Sequence, residues 1–356
     1  MRHASIAAGT LVIATLAVWS ALAAAVASAP RMEIQGSAGY SVRLLSLPDN
    51  NTGDVSMDYI TYDAATNTVW VPGGNTGAVD VVDVATGKVR QISGFATSSM
   101  QARGATRVLG PTGVSVGDGV VYIGNRGDSS VCAVDARTLA RSTCGTLDSM
   151  PDGVAYVAPT HEVWVTTPRD TSIRILDAKT LKQKATLTFE GNPEGYAIDA
   201  DRGRFYTNLE DKDRTLAIDL KTHQTVATWM PNCGEEGPHG LSLDAASGHL
   251  FLACSTLAEV LDVAHDGAVL SKVDTGNGVD DLHYSPYTHE LYVGAAQAAT
   301  LTIARADRKG QLSVVAKVPT HQGARNATVA KNGAIYLAHS RAKLPALVVV
   351  TPPRKG

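Results

Sequence analysis

Four carboxylates, one imidazole and one guanidinium recur at a single position of seven related segments in this chain. The residues are Asp58, Asp152, Glu194, Asp280, His239 and Arg325, with Thr112 in the remaining segment. Side chains of this kind, converging on one cleft, suit proton transfer, oxyanion stabilisation or cation binding. His239 is a candidate general base and Arg325 an oxyanion clamp. Asp152, Glu194 and Asp280 are candidate ligands for a divalent cation, the one cofactor these residue types suggest. Three residues further along each segment the side chain is small in six cases (Thr61, Ser115, Ala155, Ala197, Ser242 and Thr328) and imidazole in one, His283. That deviation makes His283 a third catalytic candidate.

What must position them is a repeat. The segments open on Met57-Asp58-Tyr59, Pro111-Thr112-Gly113, Pro151-Asp152-Gly153, Pro193-Glu194-Gly195, Pro238-His239-Gly240, Val279-Asp280-Asp281 and Ala324-Arg325-Asn326, at intervals of 54, 40, 42, 45, 41 and 45 residues. After 11 to 13 residues each places an aromatic within an apolar run: Trp70, Tyr122, Trp164, Tyr206, Phe251, Tyr292 and Tyr336. Asp83, Asp135, Asp177 and Asp219 follow 13 residues later, each with threonine three positions on, which is a turn signal because the carboxylate can accept from backbone amides ahead of it. Each unit therefore reads as a four-stranded meander of about 40 residues, the size of one propeller blade. The third position is Gly in four units and Asn or Asp in two more, residues that tolerate positive φ.

The last unit has room for only one strand after Tyr336, Ala346 to Val350, before Pro352 and Pro353. Tyr40 to Leu47 alternates apolar and polar residues and supplies the missing strand. Closing the ring in this way leaves no open sheet edge. The fold class is all-β, a seven-bladed β-propeller whose last blade is completed by the N-terminal strand. The runs 121–125 (VYIGN), 163–167 (VWVTT) and 291–295 (LYVGA), with the Pro-x-Gly openings, resemble bacterial YVTN-repeat propellers. The resemblance spans essentially the whole chain after its leader and implies the same fold; that family's roles are too diverse to imply an activity.

Register places the starts of the innermost strands and the loops after each second strand on one face, here called the top. It brings Cys132 opposite Cys144 across the Asp135–Thr138 turn, and Cys233 beside Cys254 in the fifth unit. These pairs are the expected disulfides, since neighbouring antiparallel strands supply the required separation. No Cys-x-x-Cys spacing points to zinc. The first interval is a dozen residues longer than its siblings. The excess lies near Gly94 to Gly110 with Met100, Arg103 and Arg107, and reads as a lid over the channel or a surface insertion. Glu235 and Glu236 extend the acidic character near His239. The triplet Arg126-Gly127-Asp128 resembles a cell-adhesion sequence but is short enough to arise by chance.

The chain opens Met1-Arg2-His3, runs without charge from Ile6 to Val26, and then meets small residues, as secretory leaders do. Residues 1–27 are expected to be the signal peptide and 28–356 one propeller domain, working in the periplasm or outside the cell. Cleavage after Ala29 and an uncleaved anchor are the alternatives. The net charge is −3, and one unit more negative once Arg2 leaves with the leader. Nothing in this balance is a basic footprint for nucleic acid, nor for a membrane beyond the leader. No phosphate loop, dinucleotide fingerprint or Gly-x-Ser-x-Gly is present. Three function classes remain. The first is a monomeric binding module holding a small ligand, cation or protein partner at the top mouth through Asp58, Thr112, Asp152, Glu194, His239, Asp280 and Arg325. The others are a hydrolase or lyase of lactonase type and a structural surface-assembly protein. N-terminal sequencing of the exported protein should begin at Ser28; a chain that retains Arg2 would show the segment to be an anchor.

Overall fold

The computed structural model describes residues 34–35, 39–48, 55–102, 104–339 and 345–353, besides Met1. The leader, its cleavage sites and Arg103 lie outside the described residues. Seven antiparallel sheets form a β-propeller. Blades one to six run in sequence order, and blade five is representative, with strands Pro238–Asp244, His249–Cys254, Leu257–Asp262 and Ala268–Asp274 counted from the channel outward. Blade seven holds Ala324–Val329, Ile335–His339 and Ala346–Thr351, and the N-terminal strand Ser41–Ser46 pairs residue by residue with the last of these. A two-residue strand, Ile34–Gln35, adds a fifth element outside it. The sequence pattern had not indicated that addition.

The repeat landmarks have direct physical roles. The seven aromatics of the second strands are all 3% exposed or less. Burying a large apolar side chain stabilises by roughly 1.5–3 kcal/mol. The apolar core is divided into seven clusters, each built from two adjacent blades. Trp164 stacks on Phe205 of the next blade, and Tyr122 on Tyr156. At the turns, Asp83, Asp135, Asp177 and Asp219 each accept from the amide and hydroxyl of the threonine three residues on, at 2.7–3.1 Å. These bonds hold all four carboxyls below the ordinary range.

Two details refine the sequence reading. Of the third-position residues, only Asn326 has positive φ, at 49°. The glycines there solve a different problem, close lateral packing of the innermost strands. A Cβ on Gly195 would stand 2.5 Å from the Gly240 Cα, and one on Gly113 would stand 2.6 Å from the Asp152 carbonyl. Residues 94–110, read as a loop, contain a β-hairpin instead, Ser98–Ala102 paired with Ala105–Leu109 and turned at Gly104. Innermost strands begin within a residue of the expected positions, except in blades one and three, where they start at Thr61 and Val154.

Both disulfides form as expected, Cys132–Cys144 with Cα atoms 4.0 Å apart and Cys233–Cys254 with 5.2 Å. They close sequence separations of 12 and 21 residues. Replacing either pair by serines should lower unfolding stability by about 3 kcal/mol, the loop-entropy value for rings of that size. Chemical denaturation of the oxidised protein checks this, and a loss under about 1 kcal/mol would show that the denatured chain is already compact.

Candidate functional site at the channel mouth

In five of the blades the ladder breaks at the top of the innermost strand. Register shifts fall between Pro193 and Tyr196, Pro238 and Leu241, Val279 and Leu282, and Arg325 and Ala327. A bulge re-aims the side chain it carries. It frees Glu194, His239 and Asp280 from strand pairing at the mouth of the channel, and in blade seven it frees Asn326 while Arg325 stays opposite Ala338. Four residues after each buried aromatic, the chain leaves the second strand on the same face. That position is Gly74, Arg126, Pro168, Glu210, Ser255 and Ala296 in blades one to six. A second ring of side chains therefore meets the first. The aromatic phase could have predicted it, and Arg126, Glu210 and Ser255 are the residues the sequence reading missed.

One side of the mouth is a chain of alternating charges. Arg325 Nη1 lies 2.7 Å from Asp280 Oδ1, and its Nη2 lies 3.7 Å from Asp58 Oδ1. Arg126 pairs with Asp152 and reaches Asp58 at 3.5 Å. Asn326 donates to both Asp280 (2.9 Å) and Asp58 (3.2 Å), while Thr112 Oγ1 sits 3.5 Å from Asp58. Burial raises the Asp58 carboxyl, and Arg325 works against that shift. The adhesion-like triplet is consumed in this framework: Arg126 holds Asp152, and Asp128 accepts from Asn125 and Ser130.

The other side is short of cations. His239 Nε2 lies 3.3 Å from Ser255 Oγ and its Nδ1 lies 3.8 Å from Glu210 Oε2. Burial raises Glu194 well above the ordinary carboxyl range, reinforced by the Glu210 charge beside it. The close approach of Glu210 and His239 lowers the carboxyl of the former and raises the imidazole of the latter. The two neighbouring carboxyls are therefore shifted in opposite directions, Glu194 up and Glu210 down. Glu194, Glu210 and His239 each offer a ligand atom within 4.8 Å of the others, and this is the set that could hold a metal ion. The trio expected from sequence is not brought together, because Asp152 and Asp280 are each engaged by an arginine.

His239, Asp280 and Arg325 line one cavity of about 660 Å³. Ser255, Asn277 and Gln297 contribute to its wall, Glu236 to its rim, and Arg107 of the hairpin joins from outside the blades. His283, expected in the same cavity, instead lines a separate one of about 130 Å³ with Tyr59, Tyr196 and Asp281. Three residues further down the strand place it roughly 10 Å deeper. Burial there pushes the His283 imidazole down to about 4 and the Asp281 carboxyl up to about 8. Asp281 takes the place its sibling blades give to glycine, and its carboxylate fills the space beside Gly240.

No protein-family model and no curated protein matches the chain. Solved structures do. A streptogramin B lyase aligns with TM-score 0.68 at 13% identity, over 88% of this chain and 97% of that one. The hydrazine synthase of Kuenenia stuttgartiensis gives 0.70 at 14%, over 85% and 96%. The β-propeller domain of Myceliophteria thermophila Cps50 (Swd1) gives 0.67 at 10%, over 87% and 99%. Likeness at these identities shows the shared fold.

The raised Asp281 carboxyl makes stability depend on pH. Its folded value lies above the unfolded one, so its contribution is intact below about pH 4 and is lost as pH rises towards 8. Asp281→Asn keeps the acceptor for the Leu282 amide and removes the titration. The variant should gain on the wild type by up to roughly 1.4 kcal/mol per pH unit across that window. Urea denaturation at pH 5 and pH 8 measures the gap, and parallel curves would rule the effect out.

Proposed function

We propose that this protein works outside the cytoplasm as a propeller that binds a small polar molecule at the top mouth of its channel. One observation carries the reading: His239, Asp280 and Arg325, from three different blades, meet in one polar cavity of about 660 Å³. That volume is in the range of small-molecule sites. Hydrogen-bonding groups dominate its wall, so the ligand is a hydroxylated or charged compound. The two disulfides fit an oxidising compartment, and among the described residues no helix is long and apolar enough to cross a membrane. The strand motifs at 121–125, 163–167 and 291–295 support a kinship with the YVTN-type propellers they resemble.

A second reading, lyase or hydrolase activity at the same mouth, is favoured by the imidazole of His239 held between Glu210 and Ser255. The likeness to a streptogramin B lyase agrees with it at the level of fold.

The test is a thermal-shift screen with polar metabolites, lactones and divalent cations, since a bound ligand stabilises by mass action. Wild-type protein should gain several degrees with at least one compound class. His239→Ala and Glu194→Gln should lose that gain while their ligand-free melting temperatures stay within about 2 °C of wild type. Variants that melt much lower yet still bind would make the cluster structural and move the site to the outer loops.

A further inference from the structure

The second ring of the mouth brings a serine to His239, and the contact has a direction. Imidazole Nε2 faces Ser255 Oγ at 3.3 Å, and Nδ1 faces Glu210 Oε2 at 3.8 Å. A carboxylate on the Nδ1 side favours the tautomer with its proton there, leaving the Nε2 lone pair towards the hydroxyl. The 3.8 Å separation is an ion-pair contact, and such contacts are commonly loose before substrate binds. Three blade elements supply the array: Glu210 follows the second strand of blade four, His239 sits in the bulge of blade five, and Ser255 follows that blade's second strand. Ser255 and His239 both line the mouth cavity.

Two features hold the array in place. The Cys233–Cys254 disulfide ends one residue before Ser255 and ties the end of that strand to the loop entering blade five. The Ser255 carbonyl accepts from the Gly278 and Val279 amides at 3.0 and 3.2 Å, fixing the turn against blade six. Glu194 stands within 4.8 Å of both Glu210 and His239, so the carboxylate that faces the imidazole is itself packed against a second carboxyl.

We infer that Ser255, His239 and Glu210 form a nucleophile–base–carboxylate relay that hydrolyses small polar esters or lactones in the mouth cavity. The inference rests on the mouth being the binding site and adds a reaction to it. Ser255 Oγ bonds to the substrate carbonyl carbon as its proton passes to His239 Nε2. The tetrahedral adduct then collapses, the carbon–oxygen bond of the leaving group breaks, and that oxygen takes the proton from His239. Water repeats the sequence on the acyl-serine, giving the free acid and restoring Ser255. Overall, ester and water become acid and alcohol. The side chains of Asn277, Gln297 and Arg325 line the same cavity and are the donors available to the oxyanion.

Full-length oxidised protein treated with a fluorophosphonate should acquire one phosphonyl group, mapped to Ser255 by mass spectrometry. It should also release nitrophenol from p-nitrophenyl acetate. His239→Ala should slow labelling by 100-fold or more. Glu210→Gln should slow it less and move the acid limb of the pH–rate profile to lower pH, because the imidazole loses the carboxylate that favours its charged form. Glu194, Glu236 and Asp280 also face His239 and stay in place in that variant. Ser255→Ala should take up no label, and the thermal shifts of the wild-type protein report on the binding site by themselves, which separates failure of the relay from failure of the binding site. Absence of a Ser255 adduct overturns the inference. So does labelling that EDTA abolishes and a divalent cation restores, since Glu194, Glu210 and His239 would then be a cation site.

Discussion

Everything at the mouth depends on how closely the seven innermost strands approach one another around the channel. Gly113, Gly153, Gly195 and Gly240 stand where a Cβ would collide with the neighbouring strand or its side chains. Their absence of side chain lets backbone pack against backbone and keeps the ring narrow. A narrow ring makes second-position residues neighbours, although they lie forty or more residues apart in the chain. Bulges at the tops of blades four to six release Glu194, His239 and Asp280 from strand pairing.

A ring of carboxylates in so small a space would repel itself, and the protein resolves this in two ways. Around Asp58, Asp152 and Asp280 it interleaves two guanidiniums and an amide. Around Glu194 and Glu210 it supplies no guanidinium and lets a proton and the His239 imidazole take up the charge. The first half of the mouth is a rigid ionic framework. The second half is the part whose protonation can change at modest energetic cost, and it is there that an imidazole and a hydroxyl meet. Asp281, deeper in the channel, shows the cost of a carboxyl with no such relief.

The blade plan, its seven-fold count, the closing strand and the disulfide pairing were legible in the sequence because each depends on local periodicity. An aromatic every forty-odd residues and an Asp–Thr turn at fixed phase report strands whose pairing partners are adjacent in the chain. Cys132 and Cys144 are register partners across one such turn. The second ring was legible in principle, four residues after each aromatic, yet Arg126, Glu210 and Ser255 look like ordinary loop residues until a face is assigned to them.

What the sequence alone determined, therefore, is which residues share a position in the repeat. Which of them share a contact was decided by the tertiary structure. The same repeat position places Asp152 on Arg126 of the preceding blade, Asp280 on Arg325 of the next blade and Glu194 against Glu210 of its own blade, and no spacing in the sequence announces which of these it will be. His283 stands out in the sequence as much as His239 does, yet depth along the channel separates them into different cavities. Periodicity encodes angle around the ring. Depth and pairing arise only when strands and blades are assembled, because they depend on side-chain reach that periodicity does not encode.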